Sequence, residues 1–446
     1  MKKIKFSPNN CVVIAMFKIY ILPFSCLLSI SLTQVSHADV QLNDVFSLAT
    51  HCESTHLQDF FACGTISGRL NTLYYSTHDA YFIKNLNQDT ATTGGFIQYQ
   101  TYPIANMRAT VSYAGQWRLD DQTPDQNEVS ELKEQKDGLA EAYIEWKNPQ
   151  TQIRIGQQAL DVPFLGNYDW RIMPVLYQAV DAKYQYGQQD DVIRATAVKR
   201  YKSYAEDQFS RSSRYSHDIK TDGMWSLGIA KHFERDQQQL KAQFWYQHYT
   251  DYSHLLYAEG HSQWKDAPYQ PDLALQVMWA EAQGDQLAGN VNHLGFGLSM
   301  TLTILDHKTL KTAYNYIHPN KNSYLNGALF TPYMIYTASG PYFAQPFFTS
   351  TQDLGAGHAA MIAFEGSLNA QTYLGAQYSF MNLKESADIK ALNQAEYAMY
   401  AIYNFSGALK GWSLSNFAGF ATSPRNDDLF FSVHDKFHRT LILSGF

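Results

Sequence analysis

The sequence contains few cysteines and almost no long apolar run. Only four of its 446 residues are cysteine, and two of these, Cys11 and Cys26, lie near the N-terminus. After residue 38 no stretch approaches the roughly eighteen continuous apolar residues that a membrane-spanning helix needs. Basic residues are in the minority, with 34 Lys and Arg against 41 Asp and Glu. Because nucleic-acid phosphates require a basic face, we expect no nucleic-acid partner.

Residues 1–38 have the pattern of a cleaved secretory signal. Three lysines stand among the first five residues, an apolar run (IYILPFSCLLSISLT) follows, and Ser36 and Ala38 flank His37 as at signal-peptidase sites. Removing the four lysines of this segment leaves 30 basic against 41 acidic residues, a net charge near −11. We therefore expect an exported, acidic chain.

Export places the two remaining cysteines in a compartment where disulfides form. Cys52 and Cys63 lie eleven positions apart in the sequence, ahead of the first expected strand. We predict that they form a disulfide that closes a small loop in the segment 39–63.

Beyond this segment, hydrophobicity alternates with period two in stretches of about ten residues, which predicts β-strands. In the stretch NMRATVSYAGQW (106–117), Met107, Val111 and Trp117 fall on one face, and Arg108 and Gln116 fall on the other. Candidate strands begin near residues 64, 91, 106, 137, 150, 175, 190, 221, 237, 253, 272, 291, 308, 353, 370, 393, 411 and 437. The sequence thus predicts an all-β protein of antiparallel strands.

The connections between these strands favour a membrane barrel over a soluble sandwich. Short and long connections alternate along the chain. The short ones are the tight turns at 103–106, 147–150, 187–190 and 234–237, and the long ones include 118–136, 159–174, 203–220 and 318–352. The apolar face is rich in aromatic residues, of which the chain has 31 Tyr and 26 Phe, rather than in Val, Ile and Leu. We predict a transmembrane antiparallel β-barrel over 64–446, with short periplasmic turns, long external loops and a periplasmic segment at 39–63. The alternation of short and long connections fails around 251–252 and 262–271. The predicted number of strands is therefore 16 to 18.

The last residues, HRTLILSGF, have the pattern of a strand that ends on an aromatic residue. In a barrel the last strand must pair with the first, since hydrocarbon satisfies no backbone hydrogen bond. We expect Phe446 to act as the signal by which the barrel-assembly machinery recognises the chain.

Residues 153–180 resemble a segment of the OprD family of outer-membrane porins. In that segment a strand ends at G-[RQ]-Q, and a loop with D-x-P-x-L and D-x-R-x-x-P elements follows. The matching residues are Gly156, Gln157, Asp161, Pro163, Asp169, Arg171 and Pro174. The resemblance implies a mostly monomeric, eighteen-stranded channel of the Gram-negative outer membrane. It also implies that the loop 159–174 folds inward and that a ladder of basic residues lines the wall.

The constriction and the ladder can be assigned to residues of this chain. Asp161, Asp169 and Arg171 are expected to line the narrowest point. Strand parity directs nine basic residues inward, where a charge avoids the lipid: Arg69, Arg108, Arg118, Arg154, Lys183, Arg194, Arg200, Lys241 and Lys311. Glu141, Glu145 and Asp181 also point inward, so the alternative is that acids simply neutralise the ladder. The strands that begin near 353, 370, 393 and 411 carry almost no inward Arg or Lys, which departs from the family pattern.

The function predicted from the sequence is passive, substrate-preferring uptake of small polar solutes, with carboxylates or amino acids as the expected class. One alternative is an oligosaccharide channel in which inward Tyr75, Tyr143, Trp245 and Tyr400 stack on sugar rings. The other is a barrel enzyme, a lipase or protease, although no G-x-S-x-G motif or specific triad is present. No cofactor or metal is expected. The expected partners are outer-membrane lipid, the barrel-assembly machinery and the solutes, and the expected state is a monomer.

Overall fold

The computed structural model describes residues 57–78, 85–119, 129–166, 171–187, 190–235, 237–305, 307–334, 342–347, 355–384, 392–422 and 429–443. These ranges contain two short α-helices, α1 (Leu57–Ala62) and α2 (Ser130–Lys133), and two 3-10 helices of three residues each, Tyr324–Asn326 and Gly407–Leu409. Within these ranges no helix has the length and apolar character to cross a bilayer. The predicted signal segment 1–38, Cys52 and Phe446 lie outside the described residues.

Strands make up most of the chain. Their bounds are β1 (Thr65–His78), β2 (Gln88–Gln100), β3 (Met107–Arg118), β4 (Lys136–Lys147), β5 (Thr151–Gln158), β6 (Asp161–Val162), β7 (Leu165–Gly166), β8 (Leu176–Gln185), β9 (Val192–Lys202), β10 (Met224–Arg235), β11 (Gln238–Tyr249), β12 (Ser253–Trp264), β13 (Asp272–Ala282), β14 (Asn292–Leu305), β15 (Lys308–Ile317), β16 (Gly357–Ser367), β17 (Thr372–Leu383), β18 (Leu392–Asn404), β19 (Trp412–Thr422) and β20 (Leu429–Leu443). The two-residue strands β6 and β7 pair only with each other.

The other eighteen strands form one antiparallel sheet that closes on itself. Each strand pairs with its neighbours in chain order, and the last strand, β20, pairs with β1 from Ile66 opposite Leu443 to His78 opposite Phe431. Closure removes the free edges that an open sheet would present. The predicted β-barrel is confirmed, and the strand count is eighteen.

Most predicted strand starts lie within four residues of the observed ones. The structure also shows the predicted irregularity in the alternation of short and long connections. The connection between β11 and β12 is only 250–252, although it lies on the side of the barrel that carries the long connections. The one large miss is β20, which begins at Leu429 rather than near 437. The apolar alternation in the first half of β20 is interrupted by His434, Asp435 and Lys436. For this reason the sequence pattern did not predict the first half of the strand.

The two faces of the sheet differ sharply in polarity. Large apolar side chains on the outward face are exposed, as Ile155 (57%) and Leu275 (61%) illustrate. On the inward face, polar side chains such as Gln98, Thr196 and Gln276 are buried. Because side chains alternate across a strand, this contrast fixes which residues face the interior.

This orientation predicts the effect of placing a charge on the outward face. Leu298 is outward and lies in the middle of β14. Leu298→Arg should lower the free energy of unfolding by about 2–4 kcal/mol, since the charge would lie in hydrocarbon. Urea unfolding in phospholipid vesicles measures the change. The control is Thr301→Arg, on the same strand but inward between Asp272 and Lys311. An equal loss for both variants would contradict the assignment of the faces.

Candidate functional site: a charged row on the wall and two internal segments

Four charged residues of alternating sign form a row across neighbouring strands of the inner wall. Arg108 on β3 pairs with Glu145 on β4, Glu145 with Arg154 on β5, and Arg154 with Asp181 on β8. We call these four residues the charged row. Directly opposed residues in a sheet lie on the same face, so all four project inward.

Glu145 holds the two arginines of the row. Its side chain is fully buried; its Oε1 accepts from Arg108 Nε at 2.5 Å, and its Oε2 accepts from Arg154 Nε at 2.7 Å. Gln152 also donates to Oε2. Arg108 donates a second bond, from Nη1 to Gln100 Oε1 at 3.0 Å. One buried carboxylate is thus shared by two guanidinium groups, which leaves a net positive charge.

Arg154 retains hydrogen-bonding capacity. Its Nε is committed to Glu145 and its guanidinium lies 5.2 Å from the centre of the Tyr143 ring. Its two terminal nitrogens donate no hydrogen bond to any described residue, and its side chain is 26% exposed. The arginine is therefore held in place at one end, with its planar fork available.

The other predicted acids are also engaged. Asp181 accepts two bonds from Arg194, at 2.9 and 3.1 Å, and one from Thr196 Oγ1 at 2.6 Å. Glu141 accepts from Gln98 Nε2 at 2.9 Å and from the backbone N–H of Ala159 at 3.0 Å. Glu141 thereby fixes the first residue of the connection that follows β5.

That connection enters the barrel. Four side chains of residues 159–166, here called the first internal segment, are buried in a cluster with inward residues of β11 and β12: Leu160, Val162, Phe164 and Leu165. The Phe164 ring meets Tyr257 edge-on at 5.5 Å, and Gln247 donates to the carbonyl of Pro163. The segment therefore reaches from the β4–β5 wall to β11 and β12.

The three residues predicted for the constriction have different surroundings. Asp161 is half-buried, and its backbone carbonyl accepts from Arg194 Nη1 at 2.5 Å. Arg171 is only 3% exposed and lies over the rings of Tyr75 (5.1 Å) and Tyr204 (5.7 Å). The guanidinium of Arg171 is therefore covered by aromatic rings, and its role at the constriction stays a prediction. Asp169 lies outside the described residues.

The remaining ladder residues are dispersed. By alternation Arg69, Arg118, Lys183, Lys241 and Lys311 face inward, and the Arg69 guanidinium lies 5.4 Å from the Phe96 ring. Lys183 and Lys241 make no ion pair within the described residues. Arg200 is exposed, and the prediction that it faces inward is wrong. The reason is that the β8–β9 pairing shifts register between Gln178 and Ala179, so the inward–outward alternation of β9 changes before Arg200.

Sequence reasoning missed a second segment inside the barrel. Residues 342–347, here called the second internal segment, belong to the long connection between β15 and β16. The backbone N–H of Phe343 donates to Gln276 Oε1 at 3.2 Å, and that of Ala344 donates to Asn315 Oδ1 at 2.7 Å. The N–H of Phe347 donates to Glu396. The apolar stretch PYFAQPFF (341–348) was the signal available in the sequence.

The long connection between β15 and β16 packs on the ends of β9 and β11 and on the connection between β9 and β10. Tyr333 is buried against Tyr201 and Tyr249, and its hydroxyl lies 2.7 Å from Thr221 Oγ1. This burial raises the pKa of Tyr333 to about 12, so the hydroxyl stays neutral.

The predicted disulfide falls partly within the described residues. Cys63 is disulfide-bonded. Its pairing with Cys52 remains a prediction, because Cys52 lies outside the described residues.

The barrel has the fold of solved outer-membrane porins. It superimposes on a BenF-like porin from Pseudomonas fluorescens Pf-5 (TM-score 0.76, 12% identity, 86% of this chain and 100% of that chain). It also superimposes on OpdK from Pseudomonas aeruginosa, solved with vanillate (TM-score 0.71, 12% identity, 86% and 100%), and on OccAB4 from Acinetobacter baumannii (TM-score 0.68, 16% identity, 85% and 98%). These Occ and Opd proteins are OprD-family porins of Gram-negative bacteria, the family that residues 153–180 resemble. At such identities the likeness shows the fold.

No family model and no curated protein sequence matches the chain.

The shared carboxylate of the charged row predicts a change in ion preference. Glu145→Gln removes the negative charge between Arg108 and Arg154, so the reversal potential in a KCl gradient should shift toward anions. Planar-bilayer recording measures this shift. Glu234→Gln is the control, because Glu234 is half-exposed at the end of β10, with Lys265 3.6 Å away. Shifts of equal size in the two variants would show that Glu145 has no special effect on the permeating ion.

Proposed function

We propose that this protein is an OprD-family porin of the Gram-negative outer membrane that lets small polar solutes diffuse inward, with preference for carboxylates, including amino acids. The closed sheet presents apolar side chains to lipid and charged ones to the interior, as a passive channel requires. We further propose that the barrel-assembly machinery inserts the chain and that it works as a monomer.

The observation that carries the carboxylate preference is the geometry of Arg154. Its Nε is fixed by Glu145, and its two terminal nitrogens face the interior without a hydrogen bond to a described residue. A guanidinium fork matches the two oxygens of a carboxylate in a bidentate pair. Since Glu145 and Tyr143 already position the group, little side-chain entropy is lost when a solute binds.

The acids beside Arg154 keep this attraction moderate. Arg108, Arg154 and Arg194 stand against Glu145 and Asp181, so the net charge of these five side chains is +1. A channel solute must bind well enough to enter and weakly enough to leave. The neighbouring carboxylates lower the affinity for a bare anion, because they offset part of the positive charge of the arginines.

The aromatic residues support the oligosaccharide alternative less well. Arg171 lies over Tyr75, Arg154 lies over Tyr143, and the Tyr400 ring stacks on Phe347 of the second internal segment. Trp245 is only 6% exposed. A sugar-binding track needs open aromatic faces, and other protein groups already occupy or bury these.

The proposal predicts different transport of two solutes of similar size. Proteoliposomes should take up butyrate faster than butyramide, and Arg154→Gln should slow butyrate severalfold while it leaves butyramide nearly unchanged. The reason is that the substitution removes the positive fork and keeps a polar side chain of similar reach. Swelling rates of the vesicles, or uptake of labelled solutes, measure both.

Arg235→Gln is the matched control, because Arg235 is exposed at the end of β10. It should alter neither solute. If Arg154→Gln slows both solutes alike, the role of Arg154 is structural. If it slows neither, the carboxylate preference is wrong and only a general porin remains.

A further inference from the structure

Two histidines meet on the outward face of the barrel at its shortest external connection. His248 and His254 are directly opposed on β11 and β12, joined by residues 250–252 in the stretch HYTDYSH. His248 alternates with the buried inward residues Gln247 and Tyr249, so its imidazole and that of His254 project outward with Tyr246. Both imidazoles are half-buried.

Two polar atoms lie close to Nδ1 of His254. His248 Nδ1 lies 3.2 Å from His254 Nδ1, and the Tyr246 hydroxyl is hydrogen-bonded to the same nitrogen of His254. A neutral imidazole nitrogen carries either one proton or one lone pair. His254 Nδ1 therefore cannot satisfy both neighbours with well-aligned hydrogen bonds, whichever tautomer it adopts.

A metal cation resolves this conflict, because it accepts lone pairs from all three atoms. Zinc binds imidazole nitrogen at 2.0–2.1 Å, so two nitrogens of a tetrahedral site lie about 3.3 Å apart, and two at a right angle about 2.9 Å apart. The observed separation of the two imidazole nitrogens, 3.2 Å, lies between these values. The Tyr246 hydroxyl lies closer to His254 Nδ1 than two ligands of one ion can, so it must move away from that nitrogen to share the ion. Imidazole donors suit Cu²⁺, Ni²⁺ and Zn²⁺.

Ring stacking holds the donors in position before any ion binds. The Trp225 ring stacks on His248 with a centroid distance of 5.6 Å, and the Tyr246 ring stacks on His254, also at 5.6 Å. Trp225 and Tyr246 contact each other at 5.1 Å. Four side chains from β10, β11 and β12 thus form one preorganised group, whose orientation costs little on binding.

We propose that His248, His254 and Tyr246 form a binding site for a divalent transition-metal ion at the external end of the barrel. The described residues include no metal-binding group of three or more His, Cys, Asp or Glu. In the proposed site the third donor is a phenol, and the remaining coordination positions face outward. The site is separate from the charged row and does not depend on the proposed transport function.

The test uses the full-length, tag-free barrel in detergent, with NiCl₂ and CuCl₂ as probes. Isothermal titration should detect saturable binding at a single site, and His248→Asn and His254→Asn should each weaken it by roughly tenfold or more. Copper should also quench the fluorescence of Trp225, and the quenched component should be missing from Trp225→Phe. His307→Asn is the control, since His307 is a single exposed histidine in the turn between β14 and β15; it should bind like the wild type.

Other results would overturn the proposal. One is the absence of saturable binding up to about 1 mM metal. The other is that His307→Asn weakens metal binding as much as His248→Asn and His254→Asn do. A heat-modifiable shift in gel mobility shows that each variant is folded, so a loss of binding can be assigned to the site. For copper, two-nitrogen hyperfine structure in the electron paramagnetic resonance spectrum should appear in the wild type and be reduced to one nitrogen in either histidine variant.

Discussion

The structure depends on one constraint, which is that every backbone group of the wall must find its hydrogen-bond partner within the wall. Hydrocarbon offers no alternative partner, so the sheet must close, and β20 pairs with β1 along nearly its whole length. Because the sheet is closed, each strand has one face toward lipid and one face toward the interior. The side chains that face lipid must then be apolar, and charges accumulate on the inner face, where the charged row results from the register of β3, β4, β5 and β8.

Inside the barrel, pairing of charges sets which charged groups of the wall remain open to the interior. Burial of Glu145 is tolerable because two arginines and Gln152 donate to it. The same arrangement fixes Arg154 at its Nε and leaves its terminal nitrogens available. The two internal segments are anchored to other parts of the wall, by Glu141 and Gln247 for the first and by Gln276, Asn315 and Glu396 for the second. The interior is therefore shaped by side-chain hydrogen bonds to loop backbone rather than by the strands alone.

The sequence predicted the wall well and the interior only in part. Period-two alternation located most strands, because outward residues such as Ile155 and Leu275 must be apolar whatever the rest of the chain does. It failed for Arg200, since a register shift is not visible in one strand taken alone. It also gave no partner for Arg154: the link to Glu145 depends on the pairing of β4 with β5. The burial of Arg171 against Tyr75 and Tyr204 joins residues far apart in the sequence, and no local pattern encodes it.

The most direct test of the account is single-channel recording of the wild-type protein in a planar bilayer with butyrate on one side. A channel whose wall holds a fixed guanidinium fork should show stepwise conductance, and butyrate should cause brief, concentration-dependent interruptions of the current that butyramide does not cause. Discrete steps with identical traces for the two solutes would contradict carboxylate recognition. The absence of any step from folded, inserted protein would contradict the channel itself.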